Sequence, residues 1–248
     1  MPLPPPAPLD LDGSALFLDL DGTLFDLMPR PEDVHGDAQS AGLLARLDRD
    51  LEGRLAVLTG RSLADGDRIL SGRVTALSGT HGLERRDGSG ELHRSAPHPA
   101  LEEARRAFAD FRERHPAVIL EDKALGVVLH YRTAPELEAP VLALGRELAA
   151  RLPLTAQPGS MMFELRTPGG GKGEALRAYM AEPPFAGAVP VFVGDDLTDE
   201  HGFEAAEALG GFGIIVGPRE PTAARFRLAD VGAVRDWLDR STRRGAAA

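Results

Sequence analysis

The sequence predicts an α/β protein: a Rossmann-like, doubly wound parallel sheet whose chain is interrupted by an inserted α+β unit. Three observations lead there. Short apolar runs, Ala15–Leu18, Leu55–Leu58 and Val189–Val193, each end at an aspartate, threonine or glycine, as strands buried on both faces of a parallel sheet do. Between the second and third runs the pattern changes to strand pairs that are each followed by one helix, the signature of an antiparallel α+β unit. The chain has 248 residues, 43% of them hydrophobic, which suffices for one large domain or two unequal ones. The expected division is a core at 1–82 and 167–248, with an insert at 83–166.

In order along the chain, the first strand is followed by an Asp/Gly turn and by helical spacing from about Ser40 to Asp50. The second strand ends at Thr59-Gly60-Arg61-Ser62, where Ser62 is a natural N-cap for a helix to about Leu70. Val74–Leu77 reads as a third strand leading into Gly79-Thr80-His81-Gly82. In the insert, Asp87-Gly88 marks a hairpin turn between two polar strands, and a helix follows from about Pro99 to Arg114. Val118–Glu121 and Val127–Arg132 form the next strand pair, a helix spans about Pro135–Arg151, and Leu154–Ala156 and Met161–Arg166 close the unit. The first character then returns, with a helix from Lys172 to about Ala181, the strand at Val189, a helix from Thr198 to Leu209, a strand Phe212–Val216 and a last helix at about Val231–Arg240. The opening decapeptide and Arg240–Ala248 read as frayed tails.

Alternation within the insert sorts its residues by face. Val127, Leu129 and Tyr131 share one side with Met161, Phe163 and Leu165, and this apolar face would pack on the two helices. Val128, His130 and Arg132 share the other side with Met162, Glu164 and Arg166. On pattern alone that second face reads as an ordinary solvated one; in a cap domain it would look down on an active site.

Composition excludes several classes. A net charge of −10 argues against general nucleic-acid binding and against a polybasic membrane surface. The absence of cysteine removes disulfide scaffolds, thiolate metal sites and a cysteine nucleophile. The amino terminus lacks the basic and apolar regions of a secretory signal, and no stretch approaches the roughly 18 apolar residues of a membrane span. A cytoplasmic protein is expected.

The chemistry-bearing residues fall at strand tips, where open α/β sheets bind ligands. Asp19-Leu20-Asp21-Gly22-Thr23 sets two carboxylates two residues apart at the end of the first strand. The run could serve as an Asx turn, or the two repelling acids could share a hard cation, for which Mg²⁺ is the natural choice. Gly194-Asp195-Asp196-Leu197-Thr198-Asp199-Glu200 ends another buried strand in the same way. Capping explains Thr198 and Glu200, while two further acids at the sheet mouth favour a split metal site. Thr59 with Gly60 ends the second strand, and Lys172 opens a helix after three glycines, where the helix dipole opposes it and an anion would favour it. Arg61 is either a surface charge or a phosphate ligand. Trp237 reads as packing, and His35, His93, His98, His115 and His201 as surface residues without ligand spacing.

Asp19-x-Asp21-Gly-Thr, Leu58-Thr59-Gly60, Lys172 and Gly194-Asp195-Asp196, in this order, resemble the haloacid dehalogenase (HAD) superfamily, and the insert resembles its sheet-bearing cap. Within it, Gly194-Asp195-Asp196-Leu197-Thr198-Asp199-Glu200 with Phe203 is similar to the signature of the trehalose-6-phosphate phosphatase family. Ser78-Gly79-Thr80-His81-Gly82, Glu121-Asp122-Lys123, His130-Tyr131-Arg132, Phe163-Glu164-Leu165-Arg166 and Lys172-Gly173 are also similar to family motifs. Two stretches depart from the pattern: Thr167–Gly171 is richer in glycine, and Phe25-Asp26-Leu27-Met28 replaces a Thr/Ala-Pro-Ile run.

The resemblance implies a HAD core with an inserted cap and Mg²⁺-dependent hydrolysis of trehalose 6-phosphate through an aspartyl-phosphate, the last step of trehalose biosynthesis. It implies catalytic roles for Asp19, Asp21, Thr59 and Lys172, metal binding by Asp19, Asp21, Asp195, Asp196 and Asp199, and substrate contacts from Gly60, Arg61, His81, Glu121, Lys123, Arg132 and Glu164. The expected partner is a small-molecule sugar phosphate, with no nucleic acid and no membrane. A monomer or weak dimer is expected, together with functional coupling to the synthase that makes trehalose 6-phosphate. Rival readings are a phosphatase for another sugar phosphate such as sucrose 6-phosphate or mannosylglycerate phosphate, a phosphomutase, and a non-enzymatic sugar-phosphate binder.

Overall fold

A computed structural model describes residues 3–28, 30–159 and 161–245. In chain order the elements are β1 (Ser14–Leu18), α1 (Ala38–Asp50), β2 (Leu55–Leu58), α2 (Leu63–Leu70), β3 (Ala76–Gly79), β4 (Glu84–Arg86), β5 (Leu92–Arg94), α3 (Leu101–Arg114), β6 (Ile119–Lys123) and β7 (Gly126–His130). They continue with α4 (Glu138–Arg151), β8 (Thr155–Gly159), β9 (Met162–Arg166), α5 (Lys172–Met180), β10 (Val189–Gly194), α6 (Glu200–Ala208), β11 (Phe212–Val216), β12 (Phe226–Leu228) and α7 (Val231–Gly245). The chain divides into two compact units, Met1–Arg94 with Gly170–Ala248, and Ser95–Gly169.

The larger unit carries one sheet in the order β12-β11-β10-β1-β2-β3-β4-β5. The strands from β12 to β3 pair in parallel, and β4 and β5 add an antiparallel hairpin at one edge. Alternation within β1 shows why both faces are covered. Leu16 and Leu18 pack with Leu43, Leu47, Val234 and Trp237 of α1 and α7, while Ala15 and Phe17 pack with Leu176, Tyr179 and Phe203 of α5 and α6. Trp237 is 1% exposed, as a packing residue should be. Ser62 caps α2 as its position predicts, its side chain accepting from the Asp65 amide at 3.1 Å.

The expected boundary at residue 83 moves. The hairpin of β4 and β5 belongs to the large sheet, because β4 pairs with β3 in the register Ser78↔Arg85. Arg86 also grips Asp67 of α2 through two bonds of 2.8 and 2.7 Å, and the Tyr179 hydroxyl donates to the Arg86 carbonyl at 2.7 Å. Polar alternation alone does not reveal which sheet a hairpin joins. The opening segment is likewise not frayed. Trp237 Nε1 donates to the Ala7 carbonyl at 2.7 Å, Leu9 N to Ser241 Oγ at 2.9 Å and Arg227 N to the Pro4 carbonyl at 3.0 Å. The helix expected to end at Arg240 continues to Gly245, and Met1, Pro2 and Ala246–Ala248 lie outside the described residues.

The smaller unit is an antiparallel sheet in the order β6-β7-β9-β8 with α3 and α4 on one face. Val127, Leu129, Tyr131, Phe163 and Leu165 form its core with Leu101, Phe108, Val141 and Leu148, which is the apolar face read from the alternation. On the other face Glu121, Val128, Glu164 and Gln157 stand in one cross-strand row. Among the described residues no helix is long and apolar enough to cross a membrane.

Candidate active site

The neighbouring strands β10, β1 and β2 bring three tips together, since Leu18 pairs with both Val193 and Val57. Asp19 is the first residue beyond β1, fixed by its amide donating to the Val193 carbonyl at 2.9 Å. Lys172, the first residue of α5, places Nζ 2.8 Å from Asp19 Oδ1 and 2.6 Å from Asp199 Oδ1. All three side chains are buried. The second Asp199 oxygen accepts from the amides of Asp195 at 2.9 Å and Asp196 at 3.0 Å. Asp199 can sit there because Gly194 has no side chain; a Cβ on it would lie 2.2 Å from Asp199 Cγ. Gly22 is required in the same way. Its φ is +78°, and a Cβ would lie 2.2 Å from Asp195 Oδ2. Thr23 Oγ1 donates to Asp195 Oδ1 at 3.3 Å.

Asp19, Asp195 and Asp199 can present one oxygen each within 4.8 Å of one another. Burial pushes Asp19 up to about 7 even though Lys172 pulls it down, and does the same to Asp199. Burial, aided by the charges of Asp199 and Asp196, raises Asp195 to about 6. Lys172 moves up as well, because Asp19, Asp199 and Asp196 outweigh the desolvation that favours its neutral form. In a balanced ion pair the acids would fall as the lysine rose. Here all of them rise, because desolvation of the buried Asp19 and Asp199 and the half-buried Asp195 outweighs the pull of the single ammonium they share. The cluster lacks positive charge, and its all-oxygen donor set suits a hard divalent cation.

The β2 tip is locked to the start of α5. Thr59 is buried, and its Oγ1 accepts from the Arg61 amide at 3.2 Å. His81, in the left-handed region at φ +53°, donates its amide to the Thr59 carbonyl at 3.2 Å and accepts from the Gly171 amide at 2.5 Å. Its ring lies over Gly60, where a Cβ would come within 2.6 Å of Cε1. Arg61 holds Asp21 with both prongs, Nε to Oδ2 at 2.6 Å and Nη2 to Oδ1 at 2.7 Å. The Asp21 side chain is therefore engaged by arginine and is not part of the three-carboxylate cluster.

Asp196 also stands apart from that cluster. It is exposed, and its Oδ1 accepts from both the amide and hydroxyl of Thr198 at 2.7 Å, capping the turn Leu197–Asp199. The cap expected at Thr198 is thus Asp196, and α6 begins only at Glu200. Glu200 is engaged elsewhere, its Oε2 accepting from the Ala223 amide at 2.7 Å and tying α6 to the loop before β12.

On the polar face of the smaller sheet, Lys123 Nζ lies 3.3 Å from Oε1 of the buried Glu164, and Glu121 Oε2 lies 2.7 Å from His130 Nε2. Arg132 is exposed and makes no side-chain hydrogen bond or ion pair with a described residue.

A sequence model of the trehalose-phosphatase family matches residues 17–232. The chain belongs to the trehalose-phosphatase family. A probable trehalose-phosphate phosphatase of Sinorhizobium fredii is 38% identical over 216 residues, covering 86% of this chain and 82% of that protein. The trehalose-6-phosphate phosphatase of Escherichia coli K12 is 37% identical over 230 residues, covering 92% and 86%. Among solved structures, a trehalose-6-phosphate phosphatase related protein superposes with a TM-score of 0.71 at 26% identity, covering 94% of this chain and 98% of that one. A haloacid dehalogenase-like hydrolase from Bacteroides thetaiotaomicron shares the fold, with a TM-score of 0.67 at 15% identity and coverage of 92% and 99%.

As a trehalose-phosphatase family member the chain is a phosphatase, and its three acids at the sheet mouth could hold a metal ion. Three partnerships carry no sequence signal. Arg61 with Asp21 lie 40 positions apart, Glu200 meets a backbone amide, and His130 with Glu121 meet only once β6 and β7 are paired. His93, read as an isolated surface residue, pairs with Asp87 at 2.8 Å within the β4–β5 hairpin.

Proposed function

We propose that this phosphatase hydrolyses trehalose 6-phosphate to trehalose and inorganic phosphate, with Asp19 as nucleophile and Mg²⁺ as the metal. The observation that carries the reading is the buried Asp19–Lys172–Asp199 cluster beside Asp195, a carboxylate held against a fixed ammonium in a site short of positive charge. Asp19 attacks phosphorus, and a P–O bond forms to its carboxylate as the bond to the sugar oxygen breaks. Arg61 holds both oxygens of Asp21 in this structure. Once Arg61 turns to the bound phosphate, Asp21 can take up a proton from solvent, give it to the departing sugar oxygen and then take one from the water that cleaves the aspartyl-phosphate. Thr59 and Lys172 stabilise the phosphoryl oxygens, with Gly60, Arg61 and His81 completing the phosphate cradle. Asp19, Asp195 and the Asp21 carbonyl would hold Mg²⁺, oriented by Asp196 and Asp199. When bound, it offsets the repulsion between the carboxylate and the phosphoryl group.

The smaller unit serves as the cap domain, and Glu121, Lys123, Arg132 and Glu164 on its polar face read the sugar. Hydroxyl-rich sugars suit such partners, because a buried polar group left unpaired costs about 1 to 3 kcal/mol. The enzyme would work in the cytoplasm, as a monomer or weak dimer, on the product of the trehalose-6-phosphate synthase.

Phosphate release over a panel of sugar phosphates, with Mg²⁺ and with EDTA, tests this on the wild type and on Asp19→Asn. A preference for trehalose 6-phosphate, dependence on Mg²⁺ and a loss of at least about a thousandfold in Asp19→Asn are expected. Undiminished turnover by Asp19→Asn would overturn the covalent route, and no preference for trehalose 6-phosphate would overturn the substrate.

A further inference from the structure

The loop that leaves β1 is gripped from outside the active site. Leu20 to Phe25 form a tight turn, in which the Leu20 carbonyl accepts from the amides of Leu24 and Phe25, both at 3.0 Å, and the Gly22 amide donates to the Phe25 carbonyl at 2.7 Å. Arg235, in α7, takes hold of this turn with most of its guanidinium. Its Nε and Nη2 both donate to the Leu24 carbonyl, at 3.1 and 3.0 Å, and its Cζ lies over the Phe25 ring at 5.4 Å from the centroid. Its Nη1 lies 3.5 Å from Oδ2 of Asp37, the residue that caps α1. The side chains of Leu24 and Phe25 are buried in the core, so the turn is pinned on one side by packing and on the other by the arginine.

The grip bears on the chemistry through a single peptide. The Asp21 carbonyl and the Gly22 amide belong to one planar unit, with the C=O and the N–H on opposite sides of it. Fixing the amide on the Phe25 carbonyl therefore fixes the direction in which the Asp21 carbonyl points. The room for error is small, because Gly22 at φ +78° lies so close to Asp195 that a Cβ on it would come within 2.2 Å of Oδ2. A tilt of this peptide changes the spacing between the Asp21 carbonyl and the Asp195 carboxylate. A guanidinium suits the task, since its planar fork puts two donors on one carbonyl and a flat face on a ring, which an ammonium cannot do.

We propose that Arg235 is a positioning residue for the metal site: by holding Leu24 and Phe25 it sets the plane of the Asp21–Gly22 peptide and aims the Asp21 carbonyl at the cation. The inference rests on the assignment of that carbonyl, with Asp19 and Asp195, to Mg²⁺. It gives α7, which contributes no residue to the catalytic cluster, a part in the chemistry.

The test measures Mg²⁺ binding to the substrate-free protein by calorimetry, and the Mg²⁺ half-saturation of p-nitrophenyl phosphate turnover, in the wild type, Arg235→Ala, Arg235→Lys and Arg46→Ala. Arg46→Ala is the control, because Arg46 also joins α1 to α7, through Asp239 at 3.0 Å, and makes no bond to the turn. Arg235→Ala is expected to bind Mg²⁺ about tenfold more weakly, with half-saturation raised by the same factor and kcat at saturating Mg²⁺ within about threefold of the wild type. Arg235→Lys keeps the charge beside Asp37 but lacks the fork, so it shifts in the same direction and carries the expectation if Arg235→Ala does not fold. Arg46→Ala is expected to bind Mg²⁺ as the wild type does. Wild-type affinity in both Arg235 variants, or an equal weakening in Arg46→Ala, overturns the positioning role and leaves the metal assignment standing. A wild type that binds no Mg²⁺ overturns the metal assignment and the inference with it.

Discussion

The two charged regions of this protein are built on opposite plans. At the tips of the parallel sheet, Lys172 is 3% exposed and bridges Asp19 and Asp199, and Asp199 is held by two further amides. On the antiparallel sheet, Glu121 and His130 pair at 48% and 34% side-chain exposure, and Arg132 is exposed with no partner among the described residues. The first region fixes charges in a dry environment, where each is strong and hard to move. The second sets exposed charges such as Glu121 and Arg132, which can adjust to a ligand and contribute little to folding, around the buried Glu164. Bond-making chemistry needs the former, and recognition of a hydroxyl-rich molecule tolerates the latter.

The contrast breaks first if Lys172 proves dispensable. Lys172→Met strands two buried carboxylates, so a loss of about 3 to 5 kcal/mol is expected in urea unfolding without added metal, together with at least about a thousandfold loss of turnover. A variant as stable as the wild type would mean that the cluster is not under electrostatic tension.

The pH dependence of stability probes the same tension. In the cation-free protein burial pushes Asp19 and Asp199 up to about 7 and Asp195 up to about 6, from the ordinary 3.8 of an aspartate, so the folded state holds these protons more tightly than the unfolded chain. Their contribution to stability is full below 3.8 and is lost as pH rises through 6 and 7. Mg²⁺ competes with those protons, so it should raise Tm more at pH 8 than at pH 5.5, measured by thermal melts against an EDTA control. An equal rise at both values would remove the cluster as the cation site.

Smaller effects belong to the antiparallel sheet. Glu121→Ala should lower kcat/KM for trehalose 6-phosphate about tenfold more than for p-nitrophenyl phosphate. Equal losses would mean that this face does not read the sugar. The smallest expected change is in stability, where Glu121→Gln should shift unfolding by less than about 1 kcal/mol, since an exposed pair is screened by water. A larger loss would place Glu121 in the scaffold.

Legibility in the sequence follows the same division. The convergence of Asp19, Asp195 and Thr59 could be read because each directly follows a short apolar run, and parallel strands put such positions at one edge. The apolar face of Val127, Leu129, Phe163 and Leu165 was readable from period-two alternation. Partnerships were not. Nothing local tells that Arg61 closes on Asp21 or that Glu200 reaches Ala223, because each depends on where another segment lies. The opening segment escaped for the same reason. Its prolines suggested a loose tail, and the partners that hold it, Trp237 and Ser241, lie more than 200 positions away in sequence.

The signature strand exit also constrains how this chain can change over time. Gly194 leaves room for Asp199, Asp196 caps the turn that carries Asp199, and Asp199 in turn sets both Asp195 and Lys172. No member can be exchanged without stranding another, so single replacements at these positions should be dead ends and paired ones strongly non-additive. A change in this run is therefore expected to be tolerated only when Gly194, Asp196 and Asp199 change together.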